Sequence, residues 1–400
     1  VLAHRRPARE NAGVMSIRRA ALPLLLVFVP LLAGVSAAAK CPSGSATGAF
    51  LAPGSHGVGM RTITLVDTTR TTAAWGGQPE KPSRTLETVI WYPTSGGSDT
   101  VPTPDAPLAG DGPFPVIINS HGFSDVNSGA AYIAVPLASR GFVVVSPNFP
   151  QSNLTVPGGP RLEDVVNQPG DVRFVLDQVL ALSADGGSWL AGGIDKKRIG
   201  AQGLSLGGLT TLLATYSPVL GDKRIKAALV MAPYSCPLTK KMLRTNPPLL
   251  FIAGTGDRIT PLEQNAGRTF DKARMPRTLV TLAGATHTAF SGLVSFDATT
   301  NYDTTLGCLA VDGITQEEFD ATLAAFGDAA SASDLTGCEL PCVGPEPAVT
   351  PMPATHQHVL TQATAVAFFE ERFKKSKAAR CFLRKGLDAE HDDVTVELKR

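Results

Sequence analysis

The chain has 400 residues, 43% of them hydrophobic, and its 36 basic and 35 acidic side chains leave a formal net charge of +1. That is enough apolar material for one full α/β core with decorations. The balanced charge, with no basic cluster interleaved with aromatics, argues against nucleic acid as a partner, and the run Gly203–Gly208 lacks the lysine that a phosphate-binding loop needs.

The amino terminus reads as a targeting segment. Ser16-Ile-Arg-Arg19 is basic, Ala21 to Val35 is apolar but interrupted by Pro23 and Pro30, and Ser36 to Ala39 supplies small residues for cleavage. This pattern predicts a secretory signal peptide that is too short and too broken to span a membrane. Lys40 before Cys41 argues against a lipid anchor. The expected location is therefore outside the cytoplasm, extracellular or periplasmic. All six cysteines (Cys41, Cys236, Cys308, Cys338, Cys342 and Cys381) follow the cleavage point. An even count in an oxidising compartment predicts disulfides, with fifteen pairings open.

Along the rest of the chain, Arg61–Val66 and Thr85–Tyr92 read as antiparallel edge strands, and 93–113 as a Gly/Pro-rich surface loop. Phe114–Ser120 is a buried strand, Ala130–Arg140 a helix and Gly141–Pro147 the next strand. Arg161–Leu182 reads as a helix broken at Pro169 and Gly170, with Asp171 restarting it as an N-cap. Further strands are predicted at Ile225–Met231, Pro247–Gly254 and Arg277–Gly284, and helices at 316–326 and Thr361–Lys375. Strands alternating with helices imply a doubly wound, mainly parallel sheet. Only a short connection lies between Ala232 and Pro247, which predicts an open cleft. His356 and His358 fall in a Pro-rich stretch with no obvious further ligands, so no metal site is expected.

The chemistry is carried by Gly203-Leu-Ser-Leu-Gly207, set between an apolar segment and the helix-forming run that ends at Tyr216. That is a strand, a sharp turn carrying Ser205, and a helix, with glycine two residues either side where bulk would collide. Chance alone supplies about 0.2 such pentads in a chain this rich in glycine, so the context decides. Asp257 ends the strand Pro247–Gly254, at the position where open α/β sheets place their sites; its competing role is to cap a helix from Pro261 onward. His287 follows the strand Arg277–Gly284. His121-Gly122-Phe123 follows Phe114–Ser120 and offers a backbone N–H at Phe123, to join that of Leu206 in binding an oxyanion, with Gly122 allowing close approach. His121 is expected to order this loop rather than to act as a second base.

With Ile90-Trp-Tyr-Pro93, His121-Gly-Phe123, Gln168-Pro-Gly-Asp-Val-Arg-Phe-Val-Leu-Asp177, Gly203-Leu-Ser-Leu-Gly207, Gly256-Asp257 and His287 in view, the chain resembles the α/β-hydrolase superfamily over roughly residues 60–375. More narrowly it is similar to secreted esterases of the dienelactone-hydrolase and platelet-activating-factor-acetylhydrolase type. It departs from dienelactone hydrolases in carrying Ser205 instead of a cysteine, and from such folds in its long stretch after His287. The resemblance implies a monomeric α/β-hydrolase fold without a cofactor or metal. In it Ser205 is nucleophile, His287 base and Asp257 acid, with Phe123 and Leu206 as the oxyanion hole. The expected organisation is 1–39 upstream residues and signal, 40–287 core, 288–358 a Cys-containing insertion at the active-site mouth, and 359–400 a core helix and tail. At least one disulfide should staple the insertion to itself or to the C-terminal end. The expected activity is hydrolysis of short-chain or small carboxylic esters. The alternatives are a polyester or cutin-type polymer, a phospholipid acetyl ester, acyl transfer to an alcohol, or ligand binding without catalysis.

Overall fold

The computed structural model describes residues 41–97, 100–243, 246–294, 301–325, 334 and 336–399. The expected signal peptide lies outside the described residues.

Ten strands form one sheet in the order β10-β9-β8-β7-β6-β4-β5-β2-β1-β3. They are β1 (Gly57–Asp67), β2 (Arg84–Thr94), β3 (Thr103–Pro104), β4 (Phe114–Ser120), β5 (Val143–Pro147), β6 (Ile194–Leu204), β7 (Ile225–Met231), β8 (Leu249–Gly254), β9 (Arg277–Leu282) and β10 (Val394–Lys399). The neighbours from β5 through β9 are parallel, whereas β1–β2, β2–β5 and β9–β10 are antiparallel. Helices α1 (Thr47–Leu51), α2 (Ala131–Ser139), α3 (Gln168–Ala184), α4 (Leu206–Tyr216), α5 (Arg268–Lys272), α6 (Cys308–Val311), α7 (Gln316–Ala324) and α8 (Ala354–Lys374) follow in chain order.

Side-chain alternation on the strands builds the two cores. Ile117 of β4 joins α2 and α8 on one face, with Leu137, Val366 and Phe369. Its neighbours Val116 and Ile118 point the other way, toward Val172, Val175 and Val179 of α3. Both faces of the central strands are therefore covered, and that is why β8 reads as an unbroken apolar run and β4 as one from Phe114 to Ile118.

Three local features differ from expectation. Asp171 is not a helix N-cap: α3 starts at Gln168 with Pro169 in its first turn, where proline is tolerated, and Asp171 is buried inside it. Its carboxylate accepts from Arg84 Nε and Nη2, at 2.8 and 2.6 Å, while Asp164 accepts from Nη1 and Nη2 of the same guanidinium. Helix α8 starts at Ala354, so His356 and His358 sit on a helix and not in a loop. The tail contributes strand β10, paired antiparallel to β9. The segment after His287 supplies part of the cleft wall through Leu306, Gly307, Ala310 and Val311.

The six cysteines pair as Cys41–Cys381, Cys236–Cys338 and Cys308–Cys342. The last closes the insertion on itself, as expected, and the second ties it to the Ala232–Pro247 connection. Among the described residues no helix is long and apolar enough to cross a membrane.

Candidate active site

Ser205 stands between β6 and α4 with φ 56° and ψ −117°, a conformation that non-glycine residues rarely adopt. The turn is locked from both sides: Ser205 N–H donates to Met231 O at 2.9 Å, and Ser205 O accepts from Tyr234 N–H at 3.2 Å. The flanking glycines are required sterically. A Cβ on Gly203 would fall well inside 3.0 Å of Gly207 O, and one on Gly207 would meet Ser120 O just as closely. Gly122 is different: a Cβ there would make ordinary contact at 3.6 Å with Ser205, so close approach does not demand glycine at that position.

The residues picked out by sequence come together at the carboxyl ends of the parallel strands. Asp257 follows β8 and His287 follows β9; both are buried, and Asp257 Oδ2 lies 2.9 Å from His287 Nδ1. Asp257 Oδ1 accepts from the backbone N–H groups of Ile259 and Thr260, at 2.9 and 2.7 Å. The capping role that competed for this carboxylate is thus carried by one oxygen while the other faces the imidazole. Ser205 and His287 line the same cavity of about 350 Å³, together with Gly122, Phe123, Asp125 and Leu154. Neither the Phe123 nor the Leu206 backbone N–H donates to a protein acceptor among the described contacts. Leu206 lies in the first turn of α4, where an amide has no intrahelical partner.

Electrostatics around His287 oppose one another. Burial disfavours the charged imidazole, but the Asp257 charge and hydrogen bond, with the Asp303 charge behind them, hold His287 above its ordinary value. His121 goes the other way: burial pushes it down to about 4. Its Nε2 accepts from Phe149 N–H at 3.0 Å and its Nδ1 meets Gly122 O at 2.7 Å, so the neutral ring fixes the loop that carries Phe123.

Sequence reasoning missed several residues of the site. Thr260 Oγ1 lies 2.8 Å from Asp257 Oδ2 and 3.0 Å from His287 Nδ1. Its place three residues after Asp257, in a turn that an Asp side chain commonly organises, was the available signal. A second cavity of about 50 Å³ opens beside Ser205 and is lined by Leu162, Val165, Tyr234, Ile314 and Phe319 among others. Tyr234 and Phe319 meet edge to face at 5.0 Å. Ile314, Phe319 and Thr322 come from the segment placed at the active-site mouth, though no local pattern singles out these three residues.

Away from the site, His356, His391 and Asp393 bring three ligand-type atoms within 4.8 Å of one another. Each already has a protein partner: His356 Nε2 pairs with Asp393 Oδ2 at 2.9 Å, and His391 Nε2 lies 2.7 Å from Thr47 Oγ1. His358 stacks on Tyr132 with ring centroids 4.2 Å apart.

A family model described as PET hydrolase-like matches residues 85–298, the stretch that carries Phe123, Ser205, Asp257 and His287. The chain belongs to the PET hydrolase-like family. A bis(hydroxyethyl) terephthalate hydrolase from Streptomyces coelicolor is 27% identical over 200 residues, covering half of this chain and 54% of the relative. The matched stretch thus spans about half the length of that curated relative. A solved ferulic acid esterase from Streptomyces cinnamoneus superposes with a TM-score of 0.51 at 20% identity, covering 80% of this chain and 91% of its own. At that identity the likeness concerns the fold, an α/β-hydrolase sheet flanked by helices.

Proposed function

We propose that this member of the PET hydrolase-like family is an exported serine carboxylic-ester hydrolase with a preference for short acyl groups. The observation that carries the reading is the 2.9 Å contact between His287 Nδ1 and Asp257 Oδ2, beside a serine held at positive φ in the same cavity. Ser205 Oγ attacks the ester carbonyl carbon while His287 Nε2 takes its proton. Asp257 keeps the imidazole in the tautomer with hydrogen on Nδ1 and stabilises the charged ring. The Phe123 and Leu206 N–H groups receive the oxyanion, each such donor being worth about 3–4 kcal/mol. His287 then gives its proton to the leaving alcohol, and water cleaves the acyl-enzyme. None of these steps calls on a cofactor. The three disulfides support an oxidising location.

The two cavities divide the substrate. The leaving alcohol must lie on the side of His287, which protonates it, and that side holds the larger space of about 350 Å³. The acyl group then enters the narrow pocket between Leu162, Tyr234 and Phe319, at about 50 Å³. A cavity that accommodates benzene measures about 150 Å³, so the pocket suits an acetyl or propionyl group and not an aromatic acid.

Family membership and the terephthalate-ester hydrolase relative favour a second reading, small aromatic diesters or a polyester chain. A panel of p-nitrophenyl esters from acetate to decanoate, run beside bis(hydroxyethyl) terephthalate and a polyester film, separates the two. The first reading expects kcat/KM to peak at two or three acyl carbons. A preference for the terephthalate ester would replace it with the second. Supplying a competing alcohol and measuring transferred ester against free acid excludes or reveals acyl transfer.

A further inference from the structure

The insertion does more than line a pocket. Asp303 lies in it, 16 residues beyond His287 in sequence, and its side chain is wholly buried. Its carboxylate accepts four hydrogen bonds. Oδ2 receives the backbone N–H of His287 at 2.9 Å and of Arg258 at 3.0 Å, and Oδ1 receives Thr288 N–H at 2.7 Å and Thr288 Oγ1–H at 2.8 Å. Arg258 directly follows Asp257 in the chain. One carboxylate thereby joins the loop that carries the candidate acid to the loop that carries the candidate base.

The rest of the insertion reinforces this junction. Arg258 O accepts from Cys342 N–H at 2.9 Å, and its guanidinium reaches Thr304 Oγ1 at 3.0 Å and Gly344 O at 3.4 Å. Cys342 is bonded to Cys308, which follows the turn Asp303–Gly307. Arg258 is therefore held through both backbone groups and its side chain by residues on the two sides of one disulfide.

A buried carboxylate is a costly choice for a mere staple, since it must be desolvated. Burial and the neighbouring Asp257 charge push the Asp303 carboxyl above its ordinary value, but three of the four groups facing it are backbone N–H donors that call on its oxygens as acceptors, which favours the ionised form. Its carboxylate sits on the backbone N–H of His287, close enough for its charge to favour the protonated ring. We propose that Asp303 is a positioning residue that locks the Asp257 and His287 loops into one rigid unit and helps stabilise the imidazolium formed during acyl transfer. The inference rests on the ester-hydrolase reading and adds to it a function for the insertion: one carboxylate that reinforces the direct hydrogen bonds between the acid and base loops.

The charged groups around His287 are Asp257 from the loop after β8 and Asp303 from the insertion, with Asp125 across the cavity. The Arg258 guanidinium is directed at Thr304 and Gly344. Both near charges favour the protonated ring, so removing one lowers its basicity.

The test compares Asp303→Asn with the parent for kcat, KM, acid-limb midpoint and melting temperature, using p-nitrophenyl acetate. Asparagine keeps the size but offers two N–H groups to donors that need acceptors. Misplacing the base in this way costs about 10²-fold, so kcat should fall by that order with KM nearly unchanged, and the acid limb should move to lower pH. A folded Asp303→Asn with the parent's kcat and acid limb would overturn the proposal. If that variant does not fold, the Cys308→Ser/Cys342→Ser pair decides: it frees the turn bearing Asp303, so kcat should drop while KM holds, and a parental kcat overturns the proposal. Ser205→Ala, run in parallel, keeps the two claims apart. Activity surviving there removes the assignment of Ser205, Asp257 and His287 as the catalytic groups and the clamp with it, whereas activity lost there but kept in Asp303→Asn removes the clamp alone.

Discussion

Asp257 gives His287 only one of its two carboxylate oxygens. Oδ2 lies 2.9 Å from the ring Nδ1, while Oδ1 is taken by the backbone N–H groups of Ile259 and Thr260. The carboxylate is thus fixed to its own loop before it orients the imidazole. Such an arrangement costs no reorganisation when charge develops on the ring.

The pH dependence follows from this geometry. Only neutral His287 can accept the serine proton, so kcat/KM falls as the ring protonates. The Asp257 and Asp303 charges outweigh burial and raise the ring above its ordinary value, so the acid limb should have its midpoint above about 6.5. Asp257→Asn removes one of those charges and favours the wrong tautomer, with a loss of about 10⁴-fold in kcat. A profile of kcat/KM against pH checks both. An acid limb below about 5, or near-normal turnover by Asp257→Asn, would assign base and acid to other residues.

Arg84 should govern stability. The guanidinium is wholly buried between Asp164 and Asp171, and Arg70 adds a 2.7 Å contact to Asp171. It ties β2 to α3 and to the 3-10 turn Leu162–Val166, whose Leu162 and Val165 wall the narrow pocket. Arg84→Met leaves two buried carboxylates without their main cation, a change that typically costs about 3–5 kcal/mol. Urea unfolding of the disulfide-intact protein measures it; a loss below about 1 kcal/mol would show that the network relaxes around the gap.

How much of this was legible in the sequence depends on the range of the interactions. Phe114–Ser120 and Ile225–Met231 were read to the residue, because a strand buried on both faces is an apolar run whatever it packs against. The elbow was legible for a local steric reason, the clash that any Cβ on Gly203 or Gly207 would meet. Asp171 was misread because its partner Arg84 lies 87 residues away. Asp303, whose hydrogen-bond partners come from two other loops, and the partner of Cys236, 102 residues distant, carry no local signal for the same reason. The start of α8 at Ala354 was hidden by the prolines just before it, which signal a loop yet are tolerated at a helix entry.

Phe319 should set acyl-chain length. It meets Tyr234 edge to face at 5.0 Å and closes the far side of the narrow pocket from the insertion. Phe319→Ala enlarges that pocket, and each methylene newly accommodated is worth about 1–3 kcal/mol in discrimination. The ratio of kcat/KM for p-nitrophenyl hexanoate over acetate should therefore rise at least tenfold. An unchanged ratio in an active variant would move the acyl group to the larger cavity beside His287.

The central claim is that Ser205, held at φ 56° beside His287, is the nucleophile. The most direct measurement is turnover of p-nitrophenyl acetate by Ser205→Ala, with fluorophosphonate labelling of the parent read by peptide mass mapping. Loss of a nucleophile typically lowers kcat by about 10⁶-fold. Turnover near background in the folded variant, with the parent's label on the peptide containing Ser205, is the expected result. Hydrolysis by Ser205→Ala within an order of magnitude of the parent, or a label on another residue, would contradict it.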